Sequence, residues 1–331
     1  MKNGLLLINL GTPDSPHVAA VTRYLREFLA DKRVITLPAP LRYLLLYAVI
    51  LPFRPRKSAA AYQEIWTKQG SPLLINSQLL LRKLQARLGD DCKVALAMRY
   101  GKPGIELALT ELKYCENITI LPLYPQYSSA ATGSSLEKVL NILSLQAIVP
   151  TMNVIRDFHQ HPGFIQAQAA LIAPHIPHHD HILFSYHGVP ENHILIDSCK
   201  TLCVNLCSSQ SPNNPGCYRA QCLRTSTALA NHLQLKKLDY SSSFQSRLGK
   251  TPWIKPYTDE IFSELADRGI KRLAIACPSF VADCLETLEE IGIRARQQWL
   301  RLGGEQLTLI PAVNDSELWV NAILAITALP N

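Results

Sequence analysis

His187 and a short acidic segment are the residues of this sequence best suited to metal or proton chemistry. The acidic segment reads DCLETLEEI at 283–291, and Asp283, Glu286 and Glu290 recur at i, i+3 and i+7, a spacing that predicts one face of a helix. Imidazole and carboxylate groups together can bind a divalent cation and transfer protons. Taken alone, the three acids slightly favour an ordinary solvated helix face, and a single histidine after a strand favours a structural role. Together they favour a site that handles a metal ion and protons.

A second chemical feature is a cluster of thiols. Five of the nine cysteines lie between positions 198 and 222, namely Cys199, Cys203, Cys207, Cys217 and Cys222. The N-terminal apolar run is six residues long, which is too short for the core of a signal peptide, so we expect a cytoplasmic protein. Thiols stay reduced in that compartment, which favours metal binding or chemistry over disulfides.

Length and composition restrict the class of protein. With 331 residues, of which 47% are hydrophobic and 18% charged, the chain suits two compact domains of roughly 150 residues each. The formal net charge is +7, but the Lys and Arg residues are dispersed, so nucleic acid is not an expected partner. The sequence contains no G-x-G-x-x-G and no G-x-x-x-x-G-K-[ST], which argues against a dinucleotide or P-loop phosphate site.

Short apolar runs that end in Gly, Pro or polar residues alternate with helical patterns along the chain. The runs are Leu5–Leu10, Val94–Met98, Ile118–Leu123, Ile182–Phe184 and Leu273–Ala276. This alternation predicts parallel sheets covered by helices on both faces, which is an α/β fold. Two runs lead into a G-x-P turn, at 11–13 and 188–190, which indicates two similarly built halves. Ligands of such sheets bind beyond the carboxyl ends of the strands, where His187 and the acidic segment are expected.

Seven blocks of the sequence resemble the ferrochelatases, a family that inserts Fe2+ into a porphyrin at the last step of haem formation. The blocks are LINLGTPDSP at 7–16, GSPL at 70–73, MRYG at 98–101, LPLYPQYSSAATGSS at 121–135, FSYHGVP at 184–190, FQSRLGKTPWIKPYTDE at 244–260 and CPSFVADCLETLEEI at 277–291. They follow the family's order over nearly the whole chain. One position departs from the pattern, because Cys284 stands where many members have histidine.

This resemblance implies two similar Rossmann-like domains, each a parallel sheet flanked by helices, with the porphyrin in a cleft between them and no nucleotide site. We expect an N-terminal domain over 1–150 and a C-terminal domain over 151–311. A C-terminal helix within 312–331 is expected to pack back on the N-terminal domain.

The resemblance also assigns catalytic roles. His187 corresponds to the family's active-site histidine and Glu286 to the acid of its D-x-x-E-T-L block. Because metal insertion displaces two pyrrole protons, we expect His187 to remove protons and to contact the metal. Glu286, with Asp283 and Glu290, is expected to form the metal or proton path, so the expected Fe2+ ligands are His187 and Glu286.

Six further residues are candidates for porphyrin binding: Tyr62, Arg99, Tyr100, Trp253, Arg56 and Lys57. Trp253 is also compatible with a plain core position, and Arg56 and Lys57 with an ordinary surface. The apolar stretch YLLLYAVILPF at 43–53 is 11 residues long, about half of a membrane-spanning helix. Composition favours its burial, whereas the resemblance implies a partly exposed apolar lip able to touch a membrane.

The cysteine-rich stretch corresponds to an insertion of about twenty residues, near 197–217, relative to shorter ferrochelatases. Cys222 belongs to the block that follows it, which leaves Cys199, Cys203, Cys207 and Cys217. Four thiolates are the number that a [2Fe-2S] cluster requires, and some bacterial ferrochelatases carry such a cluster in an insertion. Zn2+ is the alternative metal. Free surface thiols are least favoured, because exposed thiols oxidise.

The sequence therefore predicts a lyase, a ferrochelatase that inserts Fe2+ into protoporphyrin IX to form protohaem. A coproporphyrin III ferrochelatase or another tetrapyrrole chelatase is the alternative reaction, and a non-catalytic porphyrin or haem carrier is the alternative class. The expected partners are porphyrin and Fe2+, with no nucleotide cofactor. The sequence allows a homodimer without fixing the oligomeric state. The expected location is the cytoplasm, with association to a membrane through the apolar lip.

Overall fold

The computed structural model describes residues 2–194, 216–249 and 251–329. The chain divides into two compact units. The first unit contains the described residues of Met1–Tyr124, Ser129–Arg156 and Leu324–Asn331, and the second contains those of Pro125–Ser128 and Asp157–Ile323.

The first unit is built on a parallel sheet of four strands in the order β2-β1-β3-β4. These are β1 (Asn3–Thr12), β2 (Cys92–Gly101), β3 (Asn117–Pro122) and β4 (Thr151–Val154). Its helices are α1 (Val18–Ala30), α2 (Ala39–Leu44), α3 (Leu51–Ile65), α4 (Pro72–Leu88), α5 (Ile105–Glu111) and α6 (Ser134–Leu143). A π-helical segment, Leu45–Ile50, joins α2 to α3, and a second one, Ser129–Gly133, leads into α6.

The second unit repeats this strand order as β6-β5-β7-β8, again all parallel. Its strands are β5 (His181–His187), β6 (Tyr240–Gln245), β7 (Arg272–Ala276) and β8 (Gln306–Leu309). The α-helices of this half of the chain are α7 (Pro162–Ile172), α8 (Tyr218–His232), α9 (Thr258–Asp267), α10 (Arg296–Arg301) and α11 (Glu317–Thr327). A π-helical segment, Glu286–Ala295, runs into α10, and short 3-10 turns lie at Ala173–His178 and Glu191–His193.

Burial on both faces explains why the central strands are continuously apolar. In β1 the consecutive residues 5–8 are all fully buried, as expected for a parallel strand covered by helices on both sides. Leu6 and Ile8 pack with Ile105 and Leu109 of α5, while Leu183 and Ile275 of the second sheet pack in a core that includes Trp299 of α10. The α/β fold class predicted from the apolar runs is confirmed.

The two G-x-P turns that indicated an internal repeat follow the first strand of each sheet, but their backbones differ. Gly11 has a φ of +113°, and a Cβ at this position would lie 1.7 Å from the Tyr100 carbonyl oxygen, so only glycine fits between β1 and β2. Gly188 lies outside the positive-φ region, and close packing alone requires it: a Cβ there would lie 2.9 Å from the Gln245 carbonyl oxygen.

Candidate active site

The strand order places one candidate site at the carboxyl end of the second sheet. In the order β6-β5-β7-β8 the chain leaves β5 toward β6 and leaves β7 in the opposite direction toward β8, so β5 and β7 flank the topological switch point. Ligands of open parallel sheets bind beyond the strand ends at such a point. β5 ends in His187, and the segment after β7 leads into the π-helical segment that begins at Glu286.

The imidazole of His187 is held in one tautomer. Its Nδ1 is hydrogen-bonded to the Gly188 carbonyl oxygen at 2.5 Å. A carbonyl oxygen only accepts, so the proton lies on Nδ1 and the lone pair of the neutral ring lies on Nε2. No other described residue is hydrogen-bonded to Nε2. The ring lies beside Trp253 and Phe280, with centroid separations of 6.3 and 6.1 Å.

Glu290 interacts electrostatically with His187, and its pKa is raised. Burial raises its pKa, and the charge of Glu286 raises it further. Hydrogen bonds from Ser246, the positive charge that His187 carries when protonated, and the charge of Arg294 lower it, but the net pKa is raised. Ser246 donates its N–H to Oε1 at 2.8 Å and its hydroxyl to Oε2 at 2.6 Å. These interactions bring His187, Glu286 and Glu290 into one electrostatic group, in which Glu290 accepts a proton more readily than an ordinary glutamate.

Buried polar residues of β5 and β6 position the acidic helix. Gln245, the last residue of β6, donates its side-chain N–H to the Glu286 carbonyl oxygen at 2.8 Å. Its own Oε1 accepts the Ser185 hydroxyl at 2.7 Å. Ser246, which follows, has a φ of +68°, a conformation that residues other than glycine rarely adopt. Sequence reasoning did not single out Gln245 or Ser246; their location directly after a strand of the same sheet is the signal that could have found them.

The predicted placement of Asp283 on the acidic helix is wrong. The helix begins after Asp283. Of the three predicted acids, Glu286 and Glu290 lie within the π-helical segment and Asp283 does not. The Asp283 side chain is 7% exposed, and its oxygens accept hydrogen bonds from the Ala312 N–H at 3.2 Å and the Asn314 amide at 2.8 Å. Asp283 therefore ties the start of the helix to the segment after β8.

Cys284, next to Asp283 at the start of the acidic segment, is a neutral thiol. Burial raises the pKa of this thiol well above its ordinary value, and the charge of Glu286 and a hydrogen bond with Glu286 raise it further. The thiol therefore donates to the Glu286 carboxylate and does not compete with it as an anion.

Arg99 and Tyr100, at the carboxyl end of β2 in the first unit, belong to a buried network around Asp31. Oδ2 of Asp31 accepts hydrogen bonds from Arg99 at 2.6 Å, Tyr100 at 2.8 Å and Ser134 at 2.5 Å. Burial raises the pKa of Asp31, but the hydrogen bonds from Ser134, the Arg33 N–H and Tyr100, together with the charge of Arg99, outweigh burial and lower it. Tyr100 is 0% exposed, so it has no surface with which to contact a porphyrin.

The remaining candidates of the first unit lie on the helices after α1. Tyr62 of α3 is buried, with its ring at right angles to Tyr24 and close to Trp66. Arg56 and Lys57 are exposed on the same helix. The apolar lip, residues 43–53, is partly exposed as the resemblance implied, and Phe53 is 75% exposed.

Cys199, Cys203 and Cys207 lie outside the described residues. Cys217 is described: it is 6% exposed and precedes the first turn of α8. Within residues 2–194, 216–249 and 251–329, no group of three His, Cys, Asp or Glu side chains is arranged to hold a metal ion.

Two solved structures share this fold over almost the whole chain. SirB from Bacillus subtilis with Fe3+ aligns with a TM-score of 0.53 at 14% identity, covering 99% of this chain and 95% of that chain. The sirohydrochlorin chelatase SirB from Bacillus subtilis subspecies spizizenii in complex with cobalt aligns with a TM-score of 0.55 at 11% identity, covering 99% and 94%. The paired parallel sheets of identical strand order define a protein of the chelatase fold.

The sequence relationship is more specific. The family model for ferrochelatase matches residues 2–328. The ferrochelatase of Legionella pneumophila strain Lens is 60% identical over 326 residues, covering 98% of both chains. The ferrochelatase of Coxiella burnetii strain Dugway 5J108-111 is 50% identical over 329 residues, covering 97% of this chain and 92% of the relative. The chain belongs to the ferrochelatase family, which confirms the resemblance seen in the sequence.

Proposed function

We propose that this ferrochelatase inserts Fe2+ into protoporphyrin IX, with His187 as the base for the pyrrole protons and Glu286 and Glu290 as the metal or proton path. The observation that carries the proposal is the Nδ1 bond of His187 to the Gly188 carbonyl, which leaves Nε2 as the basic nitrogen. The reaction balances as Fe2+ plus the free porphyrin giving haem plus two protons, with no change in oxidation state. It is an addition of metal without hydrolysis, in keeping with a lyase.

The acidic pair suits the second half of this chemistry. Two protons leave the porphyrin for each metal ion, so the base must be discharged before the next step. The raised pKa of Glu290 and its electrostatic interaction with His187 make it a suitable acceptor in a proton relay. Glu286 is half-buried on the same helix one turn earlier, where its carboxylate can receive either the proton or the incoming ion.

Trp253 is the aromatic residue that we assign to the porphyrin face in the second unit. It is half-buried, its ring lies next to His187, and its indole N–H donates to the Leu248 carbonyl at 3.0 Å. This fixed indole plane suits stacking on a macrocycle. For Arg99 we propose an indirect role, since its guanidinium is already bound to Asp31 and Ser134. Tyr100 is not proposed as a porphyrin contact, because it is fully buried. Tyr62, Arg56 and Lys57 stay predictions.

An anaerobic assay with Fe2+ tests the reaction and its substrate. Protoporphyrin IX and coproporphyrin III are supplied in parallel, and loss of free-porphyrin fluorescence is followed. We expect faster turnover with protoporphyrin IX. Faster turnover with coproporphyrin III would assign the other substrate.

Replacement of His187 separates the enzyme from a porphyrin carrier. We expect His187→Ala to abolish iron insertion while porphyrin binding, measured by fluorescence titration, is retained. His232→Ala, which removes an exposed histidine of α8, is the matched control and is expected to leave turnover unchanged. Porphyrin binding without turnover in the unmodified protein would favour the carrier, and near-normal turnover of His187→Ala would refute the role of His187.

We further propose that Cys199, Cys203, Cys207 and Cys217 bind a [2Fe-2S] cluster, with Zn2+ as the alternative. Cys217 is the one proposed ligand among the described residues. It directly precedes α8, and the positive end of a helix dipole attracts a negatively charged group such as a thiolate-bound cluster. We expect visible absorption and labile sulfide in the anaerobically purified protein, and their loss in Cys217→Ser. Cys92→Ser, which replaces a buried cysteine of the first unit, should retain both. Stoichiometric zinc without sulfide would identify the alternative, and a colourless, metal-free protein would exclude both.

The apolar lip is proposed to contact the surface of a membrane. No helix within the described part of the chain is long and apolar enough to cross one, so the proposed contact is peripheral. Flotation with liposomes should recover the protein, and Phe53→Ser should reduce the recovered fraction. Leu145→Ser, which replaces an exposed leucine elsewhere in the first unit, should not. Equal flotation of both variants would argue against the lip. Cytoplasmic location and a homodimer stay predictions, to be checked by cell fractionation and sedimentation.

A further inference from the structure

His187 is the last residue of β5, and the pairing of that strand with its two neighbours ends at different places. On the β6 side the register continues to His187 and Gln245, and the next residue, Gly188, donates its N–H to the Gln245 carbonyl at 2.8 Å. On the β7 side the pairing stops three residues earlier, at Phe184 and Ala276. A strand residue directs its two backbone polar groups to one side, so those of His187 face the edge where β7 has already ended.

Two side-chain hydroxyls take the place of the missing strand. The His187 N–H donates to the Ser279 hydroxyl oxygen at 2.9 Å, and the Tyr218 hydroxyl donates to the His187 carbonyl oxygen at 2.7 Å. Both backbone groups of His187 are thereby held by residues from outside the sheet. Tyr218 is buried in the first turn of α8, and Ser279 lies in the segment that follows β7.

From this geometry we infer that Tyr218 and Ser279 are positioning residues for His187. The Gly188 carbonyl that accepts from Nδ1 lies one peptide further along the chain, and its position depends on the His187–Gly188 peptide, which carries the His187 carbonyl and the Gly188 N–H. The bond from Nδ1 therefore depends on the orientation of the His187–Gly188 peptide. Tyr218 holds the carbonyl of this peptide and Gln245 holds its N–H, while Ser279 fixes the preceding peptide. The two hydroxyls, together with Gln245, therefore orient the backbone that sets the direction of Nε2. This inference rests on the proposed role of His187 as the base.

Single-atom variants test the inference. Tyr218→Phe and Ser279→Ala each remove one hydroxyl. We expect kcat to fall by roughly tenfold in each variant, with KM for the porphyrin nearly unchanged, because partners that orient a ligating or catalytic histidine typically contribute 10–100-fold. Ser279→Thr keeps the hydroxyl and should restore most of the activity. Tyr186→Phe is the matched control: it removes a buried hydroxyl bond between β5 and Ser226 of α8, 2.8 Å long, without touching the backbone of His187.

A spectroscopic measurement gives a readout independent of turnover. In protein labelled with 15N-histidine, the His187 signals are identified by their absence from His187→Ala. We expect the unmodified protein to show a single tautomer protonated on Nδ1, and Tyr218→Phe to show averaging between the two tautomers. Tyr186→Phe should keep the single tautomer.

The outcomes separate this inference from the proposed function. If His187→Ala retains turnover, the proposed base is wrong, and the inference fails with it. If His187→Ala is inactive but Tyr218→Phe and Ser279→Ala keep both normal kcat and the single tautomer, His187 is the base and the positioning role is refuted. A lower kcat with a disturbed tautomer in these two variants, and in neither Tyr186→Phe nor Ser279→Thr, supports the inference.

Discussion

Replacement of Asp283 by asparagine should destabilise the second unit and spare the chemistry. Oδ1 of Asp283 accepts the Thr287 hydroxyl at 3.1 Å and the Ala312 N–H at 3.2 Å, and Oδ2 accepts the Asn314 amide at 2.8 Å. An asparagine that keeps its oxygen at the Oδ1 position would direct its amide at the amide of Asn314. Rotation of Asn314 would relieve that clash but would break its bond from the Asp283 N–H, which is 2.9 Å long. Either arrangement loses at least one buried hydrogen bond.

The size of the effect follows from this loss. A hydrogen bond to a charged group contributes about 1.5–3 kcal/mol, and a buried donor left without a partner costs about 1–3 kcal/mol more. We therefore expect the free energy of unfolding to fall by roughly 3–5 kcal/mol. For a domain of this size, each kcal/mol corresponds to about 2–4 °C in Tm, so thermal unfolding followed by circular dichroism should shift downward by roughly 6–20 °C.

The kinetics of Asp283→Asn distinguish a structural carboxylate from a proton carrier. Well below the unfolding transition, we expect iron insertion per folded molecule to stay close to that of the unmodified protein. Asp267→Asn, at an exposed position at the end of α9, is the control and should change neither quantity. A variant that unfolds normally but loses most of its turnover would refute the structural interpretation and return Asp283 to the proton path.

Three further substitutions test the polar groups around the strand ends. The pKa of Glu290 is raised in the folded protein, so the stability that this residue contributes is present below its unfolded pKa and is lost as pH rises through the folded pKa. Glu290→Gln should therefore raise Tm relative to the unmodified protein near pH 8. This gain in Tm should disappear near pH 4. Gly188→Ala should lower kcat and cost about 1–3 kcal/mol of stability, measured by denaturant unfolding, since its Cβ would lie 2.9 Å from the Gln245 carbonyl oxygen. The pKa of Asp31 is lowered, so its stabilisation is present above the unfolded pKa and is lost as pH falls through the folded pKa. Asp31→Asn, which leaves Arg99 buried without its carboxylate, should cost about 3 kcal/mol at pH 7 and less in acid.

The sheets could be predicted from the sequence only where burial makes the strands apolar. The five apolar runs correspond to β1, β2, β3, β5 and β7, although the run in β3 extends one residue beyond that strand. β6 was missed because it reads YSSSFQ. Its serines bind neighbouring hydroxyls, Ser242 to Ser226 and Ser243 to Thr258, so a buried position is filled by paired polar groups, which no hydrophobic pattern reports.

The site could be predicted as far as the ends of strands and no further. The rule that ligands bind beyond parallel strands selected His187, and helical spacing selected Glu286 and Glu290. The same spacing rule failed for Asp283, because a periodic pattern does not show at which residue a helix begins. Ser246 could not be found by pattern at all, since its contribution depends on a positive φ that turns its N–H toward Glu290.

The two sheets have equivalent strand orders, but the charged groups near their strand ends differ in how fully they are hydrogen-bonded and paired. In the first unit, Asp31 neutralises the charge of Arg99. Four hydrogen bonds to the Asp31 carboxylate favour its ionised form, so the charges there are fixed. In the second unit, the pKa of Glu290 is raised, and no described residue forms a hydrogen bond with Nε2 of His187. Groups that must exchange protons during turnover need such weakly satisfied charges, whereas groups that set geometry need saturated ones. This difference supports the proposal that the chemistry takes place at the strand ends of the second unit. There, Tyr218 connects His187, the proposed base, directly to the helix that begins just after Cys217.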